Sequence, residues 1–136
     1  MGLGRHLQVL LMITTTLTMW SAMFACTEAS NTIFTGGRLS SGQYLYNEPY
    51  KFIMQSDCNL VLYKNGAARW NSGTNGRGAD CYVVLQNDGN LVILSGQGGV
   101  IWASQSNRGL NTYRLVLQTD GNVVIYGGAI WATGTN

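Results

Sequence analysis

The chain has 136 residues, 46% of them hydrophobic and only 10% charged, with a formal net charge of +2. So weak and scattered a charge excludes a nucleic-acid footprint, and there is no basic helix to lie on a membrane. Eighteen glycines and one proline would suggest disorder only if apolar residues were scarce; Val, Ile, Leu, Tyr and Trp are abundant and regularly spaced, which predicts a packed β domain.

In chain order, Arg5 and His6 give a slightly basic start, and Leu7 to Phe24 carries no charge before the small and polar residues Ala25 to Ser30. That is the layout of a secretory signal peptide, with cleavage expected after Ala25 or Ala29. As a membrane anchor the stretch is poor, because Val9 to Ile13 is short and Thr14, Thr15, Thr16 and Thr18 dilute the rest. A lipoprotein signal ending at Cys26 is disfavoured by Met23 and Phe24 before it. Residues 1–29 are therefore expected to be a leader and residues 30–136 one secreted domain without membrane insertion. Cleavage after Ala29 would remove Cys26 and leave Cys58 and Cys81 as an even pair suited to an oxidising compartment. A bridge between them would stabilise by about 3 kcal/mol in the chain-entropy model; two buried free thiols are the alternative.

Three segments of that domain are plainly alike: Gln55 to Tyr63 (QSDCNLVLY), Gln86 to Leu94 (QNDGNLVIL) and Gln118 to Tyr126 (QTDGNVVIY). They start 31 and 32 positions apart, and each is followed by a tryptophan with a small polar tail, Trp70-NSGTN, Trp102-ASQSN and Trp131-ATGTN. Repetition at a fixed period decides the architecture. Residues alternate as in strands, and turn signals divide them at Asn65-Gly66, at Gly96 to Gly99 and at Gly127-Gly128. About four strands fit in each repeat, which predicts three four-stranded sheets. One such sheet cannot bury its inner face alone, but three leaning on a common axis can. Leu60, Leu62, Leu91, Ile93, Val123 and Ile125 are expected to point inward, with Trp70, Trp102 and Trp131 filling the centre rather than waiting on the surface.

Within Gln-x-Asp-x-Asn-x-Val-x-Tyr the five side chains share one face of a straight strand but spread over roughly 26 Å. The turns expected at Asp88-Gly89 and Asp120-Gly121 remove this difficulty by folding Gln back beside Asn and Val, with Tyr reaching in from below. In the first repeat Cys58 stands where the others have Gly, so a bridge to Cys81 is expected to hold that turn. The resulting shallow site offers one carboxylate, two amides, a phenol and a small apolar patch. Hydroxyls that both donate and accept need this mixture, and an ionised Asp accepting from a hydroxyl makes the strongest bond. The site suits a neutral polyol and not a phosphate, a metal or a hydrophobe; no cofactor is implied. Asp88 and Asp120 also suit turn formation alone. Asp57, however, occupies the same slot without a following Gly, and three of the five acidic residues of the domain sit there.

The triple QxDxNxVxY motif, the Cys pair spanning its first two copies and the closing Trp-Ala-Thr resemble the monocot mannose-binding (bulb or snowdrop-type) lectins. The resemblance implies an all-β, β-prism II fold of three four-stranded antiparallel sheets with pseudo-threefold symmetry, and calcium-independent binding of mannose and high-mannose glycans. It implies that Asp and Asn bind the axial 2-hydroxyl, Gln the 3-hydroxyl and Tyr the 4-hydroxyl, while Val packs on ring carbons. The complete sites are Gln55, Asp57, Asn59, Val61 and Tyr63, and Gln118, Asp120, Asn122, Val124 and Tyr126. The middle copy keeps Gln86, Asp88, Asn90 and Val92 but has Leu94 for Tyr, so weak or silent binding is expected there. A homodimer formed by exchanging the C-terminal strand around Ala129 to Gly134 is a further implication, as is a role in defence. Ending at Asn136, without the extension many relatives carry, points to secretion rather than vacuolar delivery.

Catalysis is not expected. The domain has no histidine, its two cysteines are paired in the expected arrangement, and no carboxylate pair, phosphate cradle or metal-ligand spacing occurs. The rival is a storage or antifungal protein that keeps the lectin fold without the sugar, since Leu94 shows that a motif can erode.

Overall fold

A computed structural model describes residues 29–127 and 131–135. The expected leader falls outside these residues except for Ala29, as do parts of the third turn and of the segment expected to exchange. Twelve strands follow one another, with no helix among the described residues: β1 (Thr32–Phe34), β2 (Arg38–Ser40), β3 (Tyr44–Asn47), β4 (Tyr50–Met54), β5 (Leu60–Lys64), β6 (Ala67–Asn71), β7 (Tyr82–Leu85), β8 (Leu91–Leu94), β9 (Val100–Ala103), β10 (Arg114–Leu117), β11 (Val123–Tyr126) and β12 (Trp131–Ala132). They form three four-stranded antiparallel sheets, ordered β3-β4-β5-β6, β2-β7-β8-β9 and β1-β10-β11-β12. The three-sheet architecture is the expected one.

The division of strands differs from the expectation that each repeat builds its own sheet. Each repeat supplies three strands, and the fourth comes from the segment before the first repeat, which deals β1, β2 and β3 to three different sheets. Two features explain this. The residues linking the repeats, from Ser72 to Cys81 and from Ser104 to Tyr113, run as loops and so leave each sheet one strand short. The leading segment breaks at Gly36 and Gly42, both at positive φ, which cuts it into pieces of three or four residues that turn from sheet to sheet.

Leu60, Leu62, Leu91, Ile93, Val123 and Ile125 are fully buried, as their alternation predicts. Phe52, Val83 and Leu115 from the neighbouring strands β4, β7 and β10 meet them in register. Trp70, Trp102 and Trp131 stand opposite Leu62, Ile93 and Ile125 and therefore face inward. Their rings form a triangle with centroids 5.7–6.0 Å apart and planes inclined at 71–78°. Each edge meets a neighbour's face, an arrangement the ring quadrupole favours by about 0.5–1.5 kcal/mol per pair beyond burial. The tryptophans are partly buried and pack on the core, joining the three sheets at the axis.

Candidate functional site

The three motifs adopt one backbone design. The amide of Cys58 donates to the Gln55 carbonyl at 3.1 Å, that of Gly89 to Gln86 at 3.1 Å and that of Gly121 to Gln118 at 3.0 Å. The Gln amide in turn donates to the Asn carbonyl at 2.9 Å in all three. A four-residue turn thus brings Gln back beside Asn. Asp tightens the turn by accepting the Asn amide on Oδ1 at 2.9 Å in each copy. The two readings of Asp are therefore compatible, because closing the turn uses one lone pair of the carboxylate and leaves others to accept from outside.

The fourth turn residue lies at positive φ in every copy: 71° at Cys58, 86° at Gly89 and 87° at Gly121. Glycine adopts this conformation freely, whereas cysteine does so at a cost. What packs there explains the exception. Gly121 lies against the ring of Tyr50 and Gly89 against that of Tyr113, so a Cβ at Gly89 would stand 2.9 Å from the Tyr113 ring. Cys58 meets the corresponding residue of the next repeat, Cys81, in a disulfide with Cα atoms 5.3 Å apart. Tyr50, Cys81 and Tyr113 open or immediately precede β4, β7 and β10. The disulfide thus occupies the slot that a tyrosine ring fills on the other two flanks, and the covalent bond offsets the unfavourable backbone at Cys58.

Residues beyond the motif complete the sites, and sequence reasoning assigned them no role. Ser72, Ser104 and Thr133, two positions after each tryptophan, accept the amides of Leu60, Leu91 and Val123 at 3.0 Å. They donate to Oδ1 of Asn59, Asn90 and Asn122 at 3.1–3.2 Å. Thr74, Ser106 and Thr135, two positions further on, donate to the carbonyls of Cys58, Gly89 and Gly121 at 2.6–2.8 Å. A second donor, a backbone amide, also reaches each Asn Oδ1, from Thr74, Ser106 and Gly134 at 3.0–3.3 Å. The signal was visible as the repeated tail Trp-x-[Ser/Thr]-x-[Ser/Thr]. Its consequence is chemical: with the amide oxygen doubly occupied, the Asn Nδ2 group points outward as a donor.

The remaining polar groups gather as expected at both complete motifs. In the first, the Tyr63 hydroxyl donates to Gln55 Oε1, while Gln55 Nε2 donates to Asp57 Oδ1 and Oδ2 at 3.1 and 3.2 Å. Three side chains, Tyr63, Gln55 and Asp57, are then ordered as one network. In the third, Gln118 Nε2 donates to the Tyr126 hydroxyl, so the amide is turned over and does not bond Asp120 among the described residues. The middle copy keeps the Asp88–Asn90 turn, but Leu94 offers no hydroxyl, and the Gln86 side chain has no hydrogen-bond partner among the described residues. Val61, Val92 and Val124 are only 3%, 3% and 5% exposed. They form the floor beneath the polar groups and offer a ligand little apolar area.

The three motifs lie on three different sheets, facing away from the common core, so no two motif aspartates face one another. Among the described residues no group of three or more His, Cys, Asp or Glu side chains is placed to hold a metal ion. The arrangement presents a carboxylate oxygen, an oriented amide donor, a second amide and, on two flanks, a phenol over a small apolar floor. It can accept from and donate to adjacent hydroxyls on one face of a sugar ring.

No protein-family model matches the chain. The curated mannose-specific lectin of Narcissus pseudonarcissus is 58% identical over 106 residues, covering 78% of this chain and 97% of the relative. The crystal structure of a monomeric monocot mannose-binding lectin from Gastrodia elata superposes with a TM-score of 0.76 at 53% identity, over 79% of this chain and 99% of that one. The mannose-specific agglutinin of snowdrop, Galanthus nivalis, solved with methyl-α-D-mannoside, gives a TM-score of 0.71 at 43% identity over 79% and 98% of the two chains. With the repeat, the three-sheet prism and the site geometry in agreement, the chain belongs to the monocot mannose-specific lectins, a family of non-enzymatic carbohydrate-binding proteins.

Proposed function

We propose that the protein binds mannose and mannose-containing glycans without calcium at two sites, Gln55, Asp57, Asn59, Val61 and Tyr63, and Gln118, Asp120, Asn122, Val124 and Tyr126. The observation that carries this is the anchoring of the Asn amide by the tail hydroxyls, beside a carboxylate with acceptor capacity to spare and a Gln–Tyr pair. An oriented donor next to an ionised acceptor matches adjacent sugar hydroxyls, and it is costly to build if the face only meets water. The binding of a methyl mannoside by the snowdrop relative supports the choice of sugar. The site formed by Gln86, Asp88, Asn90 and Val92 lacks the phenol and binds more weakly.

A shallow, exposed site with four or five hydrogen bonds is expected to hold one sugar with a roughly millimolar constant, about −4 kcal/mol. Function then depends on several sites meeting one glycan or a glycan-covered surface. A mannose–agarose column tests the reading. Retention with elution by free mannose, unchanged in EDTA, is expected for the unaltered chain. Asp57→Asn with Asp120→Asn keeps the Oδ1 that closes each turn and removes the charge; retention by that variant would refute the assignment.

We further propose a leader over residues 1–29, a secreted domain over residues 30–136 and a role in defence against organisms that display high-mannose glycans. The disulfide, suited to an oxidising compartment, supports secretion; N-terminal sequencing of the protein recovered from culture medium tests it. Exchange of the C-terminal strand, which pairs antiparallel with β11 at the described residues Trp131 and Ala132, into a dimer is a further part of this reading. The monomeric Gastrodia relative favours the opposite outcome. Light scattering on the purified domain decides between them.

A further inference from the structure

Four pairs in the sequence place an Asn or Asp directly before a glycine: Asn65-Gly66, Asn75-Gly76, Asp88-Gly89 and Asp120-Gly121. Such pairs are chemically labile. The glycine amide nitrogen, once it has given its proton to water, can attack the side-chain carbonyl carbon of the residue before it. Glycine permits the approach because it has no Cβ to crowd the nitrogen and leaves the backbone free to swing. At asparagine the bond from this nitrogen to Cγ forms and the Cγ–Nδ2 bond breaks. Ammonia leaves, carrying a proton in place of the one lost from the glycine nitrogen. Water then opens the five-membered imide at either carbonyl, which yields aspartate or isoaspartate. Nothing is oxidised or reduced, and water is the only co-reactant.

The reaction needs the glycine nitrogen free and mobile, and the four pairs differ in this. The Gly76 amide donates to the Asp57 carbonyl at 2.7 Å, that of Gly89 to Gln86 at 3.1 Å and that of Gly121 to Gln118 at 3.0 Å. Each of these nitrogens must be released before it can react. Asp88 and Asp120 are held a second time, through the Oδ1 atoms that accept the Asn90 and Asn122 amides at 2.9 Å. Gly66 is different. Its amide has no hydrogen-bond acceptor among the described residues, and a Cβ placed on it would meet nothing within 4 Å. Asn65 and Asn75 are both exposed, so exposure alone does not distinguish them.

Hairpin geometry explains the free amide. Asn65 and Gly66 alone join β5 to β6, with Lys64 paired to Ala67. They lie at φ 49° and 77°, the two positive values that the tightest strand connection requires. In such a loop the ladder bonds close between the flanking residues, and the second loop amide is left to solvent. The other two repeats have no Asn or Asp at this connection, which is the Gly96 to Gly99 stretch in one and Gly127-Gly128 in the other. We propose that Asn65 is the site at which the folded protein deamidates, and that the repeated motifs are shielded from the same chemistry by their own turn hydrogen bonds. The product carries a new carboxylate two residues after Tyr63. The modification therefore marks the flank of the first motif alone and makes the protein more acidic.

The test is incubation of the purified, folded protein in mildly alkaline buffer, beside the same chain reduced and unfolded in urea. Peptide mapping by mass spectrometry at intervals reads each position separately. In the folded protein Asn65 should convert about fivefold or more faster than Asn75, the factor expected when one net hydrogen bond must open first. In the unfolded chain the two Asn-Gly pairs should convert at similar rates. Isoaspartate at positions 88 and 120 should accumulate in the unfolded chain and lag in the folded protein. Asn65→Gln, whose longer side chain would have to close a less favourable six-membered ring, should remove the acidic variant seen by isoelectric focusing. The substitution falls at an exposed loop tip, and circular dichroism verifies that the variant is folded. Asn75 keeping pace with Asn65 in the folded protein would overturn the proposal. So would a lead of Asn65 that is just as large in the unfolded chain, or an acidic variant undiminished in Asn65→Gln.

Discussion

Replacing Leu94 with tyrosine should restore the middle site. Leu94 stands opposite Tyr82 at the register position that Tyr63 and Tyr126 hold on their own sheets. The backbone turn, the Asp88 bond to the Asn90 amide and the Ser104 and Ser106 bonds to Asn90 Oδ1 are all in place. The site therefore lacks one phenol and nothing else. Without it, a bound sugar leaves one hydroxyl against an apolar side chain, and Gln86 loses the partner that Gln55 finds in Tyr63. Leaving such a group unsatisfied costs about 1–3 kcal/mol, or roughly 5- to 150-fold in affinity. With complete sites near 1 mM, the native middle site falls at roughly 5–150 mM and escapes an ordinary titration. Leu94→Tyr should bring it within reach of the other two. The assay is a heteronuclear NMR titration with methyl α-mannoside, reading the side-chain amides of Asn59, Asn90 and Asn122 separately. An Asn90 signal that stays still in the variant while the other two move would refute the role given to the phenol.

Other consequences concern the scaffold of the sites. Ser72→Ala removes the bonds of Ser72 Oγ to Leu60, Asn59 and Thr74 and should cost about 1–3 kcal/mol, seen by calorimetry as a fall in Tm of about 4–8 °C per kcal/mol. It should also weaken sugar binding at the first site, because Asn59 loses its anchor. Replacing Cys58 and Cys81 by serine removes a cross-link over a sequence separation of 23 and should cost about 3 kcal/mol, measured by urea unfolding. Gly121→Ala combines a left-handed backbone with overlap against the Tyr50 ring and should cost about 2–5 kcal/mol. Gly36→Ala has a similar φ but open space around it, so only about 1–2 kcal/mol should follow; equal losses would show that the ring contact is unimportant.

Much of the molecule was legible before any coordinates. The 31- and 32-residue spacing of the motifs and the strict alternation within them announce three equivalent sheets. Leu60, Leu62, Leu91, Ile93, Val123 and Ile125 were identifiable as core because a strand's two faces are separated in sequence by parity alone. The tryptophans were placed inside by their equivalent repeat positions. The turn within the motif followed from Asp-Gly chemistry. Other features were not legible, for separate reasons. The dealing of β1, β2 and β3 to three sheets depends on which strand edge lies nearest once the repeats have packed, and three-residue strands carry too little pattern to announce a partner. The tail hydroxyls were visible as a repeated pattern, but a serine's role depends on which amide faces it across the turn.

What the amino-acid order determined alone is therefore whatever is local or periodic: strand faces, turn positions, the number of sheets and the residues offered at each motif. Tertiary structure decided what depends on contacts between distant repeats. Cys58 takes the place of glycine because Cys81, and not a tyrosine ring, packs against that turn. Asn59 and Asn122 became donors because hydroxyls 13 and 11 positions later occupy their oxygens. Hydrogen bonds and ring contacts act over a few ångströms in space regardless of sequence distance, so their partners are set when the sheets close around the tryptophans.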